Sequence, residues 1–230
     1  WPSAWRSGIG ILMSSGVIQL SSIMYAQFAT ASQSAMYFLA LRLIQTINQF
    51  SQAPFYSKLP TMARLFAEGK KQEMLIVARK GMALAFWSYA SVFLILSLLG
   101  DWWLWAIGSN VSFPPQLFWF LLGLAFYAER YGAMHIQLYS LTNRILWHIA
   151  NGVMGFIFIF FSLLSFDCLN IYSFPVGILV GYAGFYAWYS AFYSYQEFKM
   201  KIFVFEIMTS LPPLMCIIIF YIVKAFLNEY

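Results

Sequence analysis

The sequence predicts an all-α fold, a polytopic transmembrane helix bundle, from three observations. Of the 230 residues, 62% are hydrophobic and only 9% are charged, whereas soluble domains carry about 25% charged residues. Several apolar runs exceed the roughly 18 residues that identify a membrane-spanning helix. These runs are continuous, whereas a membrane β-barrel would show short alternating segments of about 10 residues.

Seven candidate spans follow one another, and we treat residues 1–230 as one transmembrane domain. The spans cover residues 9–29, 35–56, 82–99, 117–139, 145–164, 175–195 and 202–226. The first carries polar residues on one face, namely Ser15, Gln19 and Ser22.

The second span, residues 35–56, carries the most distinctive pattern of the chain. Four long polar residues are spaced three, four and three apart, so they share one face of a helix; they are Arg42, Gln45, Gln49 and Gln52. Pro54 is expected to kink the end of this helix, and Pro60 to mark where it stops. A polar stripe at membrane depth indicates a hydrated cavity and hence a transport protein.

A basic amphipathic connector, residues 60–79, follows the second span. Its apolar stripe consists of Met62, Leu65 and Phe66, and Gly69 is expected to end its helix. We expect this connector to lie on the membrane surface.

The third and fourth spans are expected to differ in polarity. The third, residues 82–99, should end at Gly100 and Asp101, with the tryptophans that follow it at the membrane interface. The fourth, residues 117–139, contains three ionisable side chains, namely Glu129, Arg130 and His135.

The last three spans carry fewer charges. Arg144, His148 and Asn151 are expected to share one face at the start of the fifth span, residues 145–164. In the sixth, residues 175–195, Gly177 and Gly181 form a GxxxG pattern that permits close helix contact. The seventh, residues 202–226, is expected to break near Pro212 and Pro213.

Charge patterning orients the chain. The positive-inside rule assigns the N-terminus with Arg6, the connector and the turns at 144 and 199–201 to the cytoplasm. The loops at 101–115 and 165–174 contain no Lys or Arg, and only Lys224 falls on their side. The net charge of +5 is therefore explained by topology and anionic lipids rather than by nucleic acid.

The sequence contains no CxxC, HExxH or other metal-ligand spacing. No metal site, cofactor or catalytic residue is expected, and Cys168 and Cys216 provide no disulfide framework. The first residue is Trp rather than Met, so the chain is expected to be a fragment whose N-terminal part is missing.

Several segments resemble the second half of Wzx-type polysaccharide flippases, of the multidrug/oligosaccharidyl-lipid/polysaccharide exporter superfamily. They are residues 5–10 (WRSGIG), 42–45 (RLIQ), 52–60 (QAPFYSKLP), 63–64 (AR) and 68–69 (EG). Residues 107–110 (IGSN) and 141–144 (LTNR) are also similar to that group. The resemblance covers residues 5–151 well and the remainder only by hydropathy.

The resemblance implies two six-helix bundles around a central cavity. They would flip an isoprenoid-linked oligosaccharide, a unit of O-antigen, capsule or exopolysaccharide, between leaflets of the bacterial inner membrane by alternating access. This chain would be the second, C-terminal bundle, with a probable extra seventh helix. Its partners would be the missing N-terminal lobe, membrane lipids and the isoprenoid-diphosphate-linked substrate, with no nucleic acid.

Each candidate site residue has a functional and a structural interpretation. Arg42 would bind the diphosphate or an acidic sugar, since a guanidinium binds phosphate in a fork, or it would pair with a carboxylate or helix end. Gln45, Gln49 and Gln52 would bind sugar hydroxyls or join helices. Glu129 would carry a coupling proton or sodium ion and Arg130 would contact substrate, or they would neutralise each other or groups on another helix.

Two other functions remain open. A polymerase or lipid-glycan transferase usually needs charged residues in a sizeable outer loop, and here those loops are short, with only Asp101 and Asp167. A drug or cation exporter would favour acidic cavity residues, whereas the intramembrane charges assigned here are Arg42, Glu129 and Arg130. We therefore expect a transporter and not an enzyme.

Overall fold

The computed structural model describes residues 2–228, including all their side chains except those of residues 2–4, 6, 7, 11, 14 and 228. The side chain of Arg6, which the charge pattern assigns to the cytoplasm, thus lies outside the described part. Within residues 2–228 the chain forms helices and turns and contains no strand, which confirms that the fold is all-α.

Twelve α-helices occur in the described range. They are α1 (Pro2–Phe28), α2 (Ala31–Ser51), α3 (Ala53–Tyr56), α4 (Leu59–Ala67), α5 (Lys71–Ala106), α6 (Gln116–Ser140), α7 (Trp147–Leu164), α8 (Phe166–Leu169), α9 (Ser173–Gly181), α10 (Ala187–Phe198), α11 (Ile202–Ile207) and α12 (Leu211–Asn228). A 3₁₀ turn, Asn170–Tyr172, links α8 to α9, and a π-helical segment, Tyr182–Tyr186, joins α9 to α10.

Four helical stretches of the described chain are long and apolar enough to cross a membrane. They are Gly8–Phe28, Lys71–Ala106, Trp147–Leu164 and Phe166–Phe198. These correspond to the first, third, fifth and sixth predicted spans. The helices α2 and α6 are long enough but more polar, and the apolar part of α12, Leu211–Leu227, is shorter.

Small residues bring α7 close to its two neighbours α1 and α9. A methyl group added at Gly177 would overlap the Ser162 hydroxyl, and at Gly181 it would lie 3.0 Å from the Met154 carbonyl oxygen. The predicted close contact at this GxxxG pattern is therefore confirmed. On the other side of α7, Asn151 Nδ2 donates a 3.0 Å hydrogen bond to the Gly10 carbonyl of α1.

The second predicted span is interrupted where a proline was expected to disturb it. The helix α2 ends at Ser51, and the single turn α3 carries Pro54 in its first turn. Pro60, by contrast, does not mark the end of a helix but lies in the first turn of α4. That position tolerates proline because its missing N–H would have no partner there in any case.

Part of the connector packs against the helix bundle. Met62 and Leu65 of α4 are buried, and α4 packs along α5, so the apolar stripe faces protein. Gly69 adopts φ +76° and ends this helix as predicted. Residues 71–79, however, form the first turns of α5 rather than a surface segment.

The helix of the third predicted span does not end at Gly100. The helix α5 continues through the tryptophan cluster to Ala106. Gly100 packs against the ring of Phe113, which a Cβ atom at this position would overlap. The glycine therefore makes room for the following loop and does not stop the helix.

The last predicted span is two helices, α11 and α12, separated at residues 208–210. Pro212 and Pro213 fall in the first turn of α12, where their missing N–H groups cost nothing. The predicted break is therefore confirmed, and it lies just before the prolines.

Candidate functional site: two polar grooves on helix α2

Arg130 of α6 is held by the backbone and side chains of α2. Its Nε donates to Asn48 Oδ1 and its Nη2 to the Asn48 carbonyl oxygen, each at 2.8 Å. Its Nη1 donates to Gln52 Oε1 at 3.3 Å. Arg130 is only 3% exposed, so these three bonds replace most of the water that a guanidinium would otherwise bind.

Asn48 also reaches the neighbouring acid. Its Nδ2 donates to Glu129 Oε2 at 2.6 Å, and that oxygen lies 3.7 Å from Arg130 Nη2. Glu129 and Arg130 are adjacent in sequence and point in different directions along a helix, yet one asparagine of α2 joins them. The structural alternative, neutralisation of the two charges by each other and by a neighbouring helix, matches this geometry.

These groups line a groove between α1, α2 and α6 that we call the amide groove. It has a volume of about 300 Å³. Its polar lining consists of Ser15, Gln19, Gln45, Asn48, Gln49, Gln52, Glu129, Arg130 and Tyr182. The structure therefore brings together two groups of predicted site residues. The three glutamines belong to the second predicted span, and Glu129 and Arg130 belong to α6, about 80 residues further along the chain.

Arg42 lies in an adjoining groove between α1 and α2, which we call the arginine groove. This groove has a volume of about 280 Å³ and shares Ile18, Gln19 and Gln45 with the amide groove. Arg42 is exposed, and no carboxylate of the described residues lies within 4 Å of its guanidinium. All six predicted site residues thus line two adjoining grooves.

The two grooves offer complementary chemistry. The Arg42 guanidinium presents several N–H donors in a fixed plane, which suits phosphate or carboxylate oxygens. The amides of Gln45 and Gln49 each offer both donors and an acceptor, which suits hydroxyl groups. The arrangement is suited to binding an anion and a polyol side by side.

The charges of the connector lie apart from these grooves and face solvent. Lys70 Nζ is 2.8 Å from Glu68 Oε2. This hydrogen bond, together with the attraction between the charges, lowers the pKa of the Glu68 carboxyl and raises the pKa of Lys70. Lys71 lies over the Phe66 ring, 5.8 Å from its centroid. These exposed contacts fix the turn between α4 and α5.

The predicted face of Arg144, His148 and Asn151 is not formed as expected. The helix α7 begins at Trp147, so Arg144 lies in the preceding loop, where its Nη1 is 3.3 Å from Glu197 Oε2. Asn151 binds α1 as described above. These contacts join helices and do not line either groove.

Two functional candidates were missed by the sequence reasoning. Asn48 fits the spacing of the polar stripe, three residues after Gln45 and four before Gln52, and this signal could have identified it. Glu206 lies in α11, within the seventh predicted span, and is 7% exposed. An acid inside the seventh predicted span was the available signal.

Comparison with family models, with curated proteins and with solved structures finds no match to this chain.

Proposed function

We propose that this chain is one bundle of a transporter that moves an isoprenoid-diphosphate-linked oligosaccharide between leaflets of the bacterial inner membrane by alternating access. The observation that carries the proposal is the exposed Arg42 beside a run of amides in two adjoining grooves. A diphosphate would meet the guanidinium, and sugar hydroxyls would meet the glutamines. The resemblance of residues 5–151 to Wzx-type flippases points to the same substrate.

A second helical bundle would cover these grooves. Arg42, Gln49 and Gln19 are exposed on the outside of this bundle, and an arginine at bilayer depth costs about 2.5–3.5 kcal/mol on insertion scales. A partner bundle that encloses a water-filled cavity removes this cost while it leaves the side chains free for substrate. The weak burial of α1, with 19% of its span inside this bundle, supports a partner on the same side.

Leaflet exchange in vesicles tests the proposal. The whole protein is reconstituted with a fluorescent isoprenyl-diphosphate oligosaccharide, and an impermeant reductant bleaches the outer leaflet. We expect the protein to expose the inner-leaflet pool, and Arg42→Gln to slow this exchange about 10- to 100-fold, because a hydrogen bond to a charged group contributes about 1.5–3 kcal/mol.

The matched control is Arg64→Gln, which removes an exposed arginine of α4 and should leave the rate unchanged. Exchange that is insensitive to Arg42→Gln would remove this residue from the mechanism. Glycan chain extension without exchange would identify a membrane enzyme instead, and exchange of organic cations in place of the lipid-linked glycan would identify a drug exporter.

A further inference from the structure

A buried carboxylate joins the last two helices to the bundle. Glu206 of α11 accepts hydrogen bonds from Tyr131 of α6, at 3.2 Å, and from Tyr195 of α10. Its second oxygen accepts from Thr209, at 3.2 Å, and from Ser210, which lie in the break before α12. Three hydroxyl groups donate to the acceptor sites of an ionised carboxylate, and the single hydrogen of the fourth, Thr209, is shared with the Phe205 carbonyl oxygen at 2.9 Å.

An imidazole faces the same carboxylate. His135 Nε2 lies 3.5 Å from Glu206 Oε1, and His135 is 1% exposed. Its other nitrogen, Nδ1, is buried and has no hydrogen-bond partner in the described part of the chain. A histidine that served only to fill space would not need to place one nitrogen against a buried acid and leave the other unbonded.

We propose that His135 and Glu206 form a proton-binding site that fastens α11 and α12 to the bundle. With His135 protonated, the buried pair is neutral overall. When the proton leaves, Glu206 keeps its hydroxyl partners but loses its counter-charge, and a buried net negative charge is costly unless water enters. Loss of the proton therefore favours separation of α11 from α6 and α10.

The other charged or titratable groups around the pair are phenols and a guanidinium, whose protonation states do not change near neutral pH. Tyr127 donates to the Ser210 carbonyl oxygen, and Tyr131 and Tyr195 contact Glu206 itself. From α5, Arg79 Nη1 donates to Met208 Sδ at 3.1 Å. Phenols and guanidinium groups do not normally change charge between about pH 5 and 8, whereas imidazole does.

This site is separate from the two grooves, and its protonation requires no transported substrate. Arg130 reaches α2 from one face of α6, whereas Tyr131 and His135 reach α10 and α11 from another. The predicted response is a movement of the terminal helices that follows pH alone.

Distances between spin labels on the full chain in lipid nanodiscs test the proposal. Labels are attached through Ile219→Cys on α12 and Phe156→Cys on α7, both at exposed positions, after Cys168 and Cys216 are replaced by serine. We expect one narrow distance distribution at pH 5.5, and at pH 8 a second population shifted by several ångströms. His135→Gln, which cannot carry the charge, should show the pH 8 distribution at both pH values.

Two further variants complete the test. Glu206→Gln removes the negative charge with the same shape, so it should abolish the pH response even if His135→Gln fails to fold. His148→Gln replaces the other of the two histidines and should retain the response. A distribution that is unchanged by pH, a response that survives His135→Gln, or a shift driven by sodium at constant pH would overturn the proposal.

Discussion

Arg42 and Arg130 are both arginines of largely apolar helices, but their surroundings give them different physical roles. Arg130 is 3% exposed and donates hydrogen bonds to Asn48 and Gln52, so few of its N–H groups remain for a ligand. Arg42 is exposed and has no ion-pair partner among the described residues. We infer that Arg130 shapes the amide groove from within, and that Arg42 is the arginine free to meet a substrate anion.

This difference predicts a large effect on stability for a substitution of Arg130 and a small one for Arg42. Arg130→Met leaves Glu129 without its counter-charge and Asn48 without a donor. Removing one partner of a buried pair costs about 3–5 kcal/mol, and we expect the lower end because the Glu129 side chain is 16% exposed. Arg130→Lys should lose less, since an ammonium keeps the charge but not the planar fork. Reversible unfolding in mixed micelles measures both.

The matched control for this series is Arg42→Met. Because Arg42 is exposed and has no ion-pair partner in the described part of the chain, we expect a change in unfolding free energy within about 0.5 kcal/mol. A loss at Arg42 as large as that at Arg130 would show that Arg42 is also a structural residue, and it would weaken the assignment of the arginine groove to substrate.

Sequence reasoning found the predicted site residues of the grooves, but it missed Asn48 and the contacts between the helices. The spacing of Arg42, Gln45, Gln49 and Gln52 placed them on one face because helical periodicity is local. The hydrogen bond from Asn48 to Glu129 joins residues that are 81 positions apart. A contact between residues so far apart cannot be predicted from the local spacing of polar residues. Glu206 was visible as an acid inside the seventh predicted span, but its partners Tyr131, His135 and Tyr195 lie on two other helices, α6 and α10, and no local pattern shows those contacts.

At the scale of single elements, the crossing of α7 and α9 depends on a glycine. Gly177 lies against Ser162 and 3.0 Å from the Phe158 carbonyl oxygen, measured from an added Cβ. Gly184, in the adjoining π-helical segment, has open space, with its nearest contact at 3.8 Å. These two glycines of one continuous helical stretch therefore serve different purposes.

We expect Gly177→Ala to lower the free energy of unfolding by about 1–3 kcal/mol, the usual cost of overpacking, because the two helices must separate. Gly184→Ala should change it by less than about 0.5 kcal/mol. The same micelle unfolding measurement compares them. Equal effects of the two substitutions would mean that close approach at Gly177 does not stabilise the bundle.

Helix boundaries show which signals a sequence carries. Gly69 ended a helix as predicted because it needs a positive φ. Gly100 did not, because its lack of a side chain serves a tertiary contact with Phe113 that is not visible along the chain. The sequence alone does not distinguish a glycine that ends a helix from a glycine that makes room for a tertiary contact. Only the packing around each glycine shows which role it has.

The whole molecule has two chemically different ends. At one end, Arg79, Lys199 and Lys201 surround a shared cleft of about 300 Å³, and Phe66 of α4 contacts Phe198 of α10. At the other end, the Phe28 and Phe166 rings lie 4.5 Å apart, next to loops without Lys or Arg. Lys224, which donates to the Ser97 carbonyl oxygen, is the exception that the sequence also indicated, and the orientation from the positive-inside rule stays a prediction.

Thiol labelling from outside intact cells tests this orientation, with Cys216 replaced by serine. Native Cys168 is exposed and lies in α8, in the segment predicted to be on the outer side, so an impermeant maleimide should react with it. With Cys168 also replaced, the same reagent should reach Asn110→Cys but reach Lys70→Cys only after permeabilisation. The reverse labelling pattern would mean that the chain has the opposite orientation in the membrane. Labelling of both positions from one side would mean that α5 does not cross the membrane, although at about 54 Å it exceeds the roughly 30 Å hydrocarbon core.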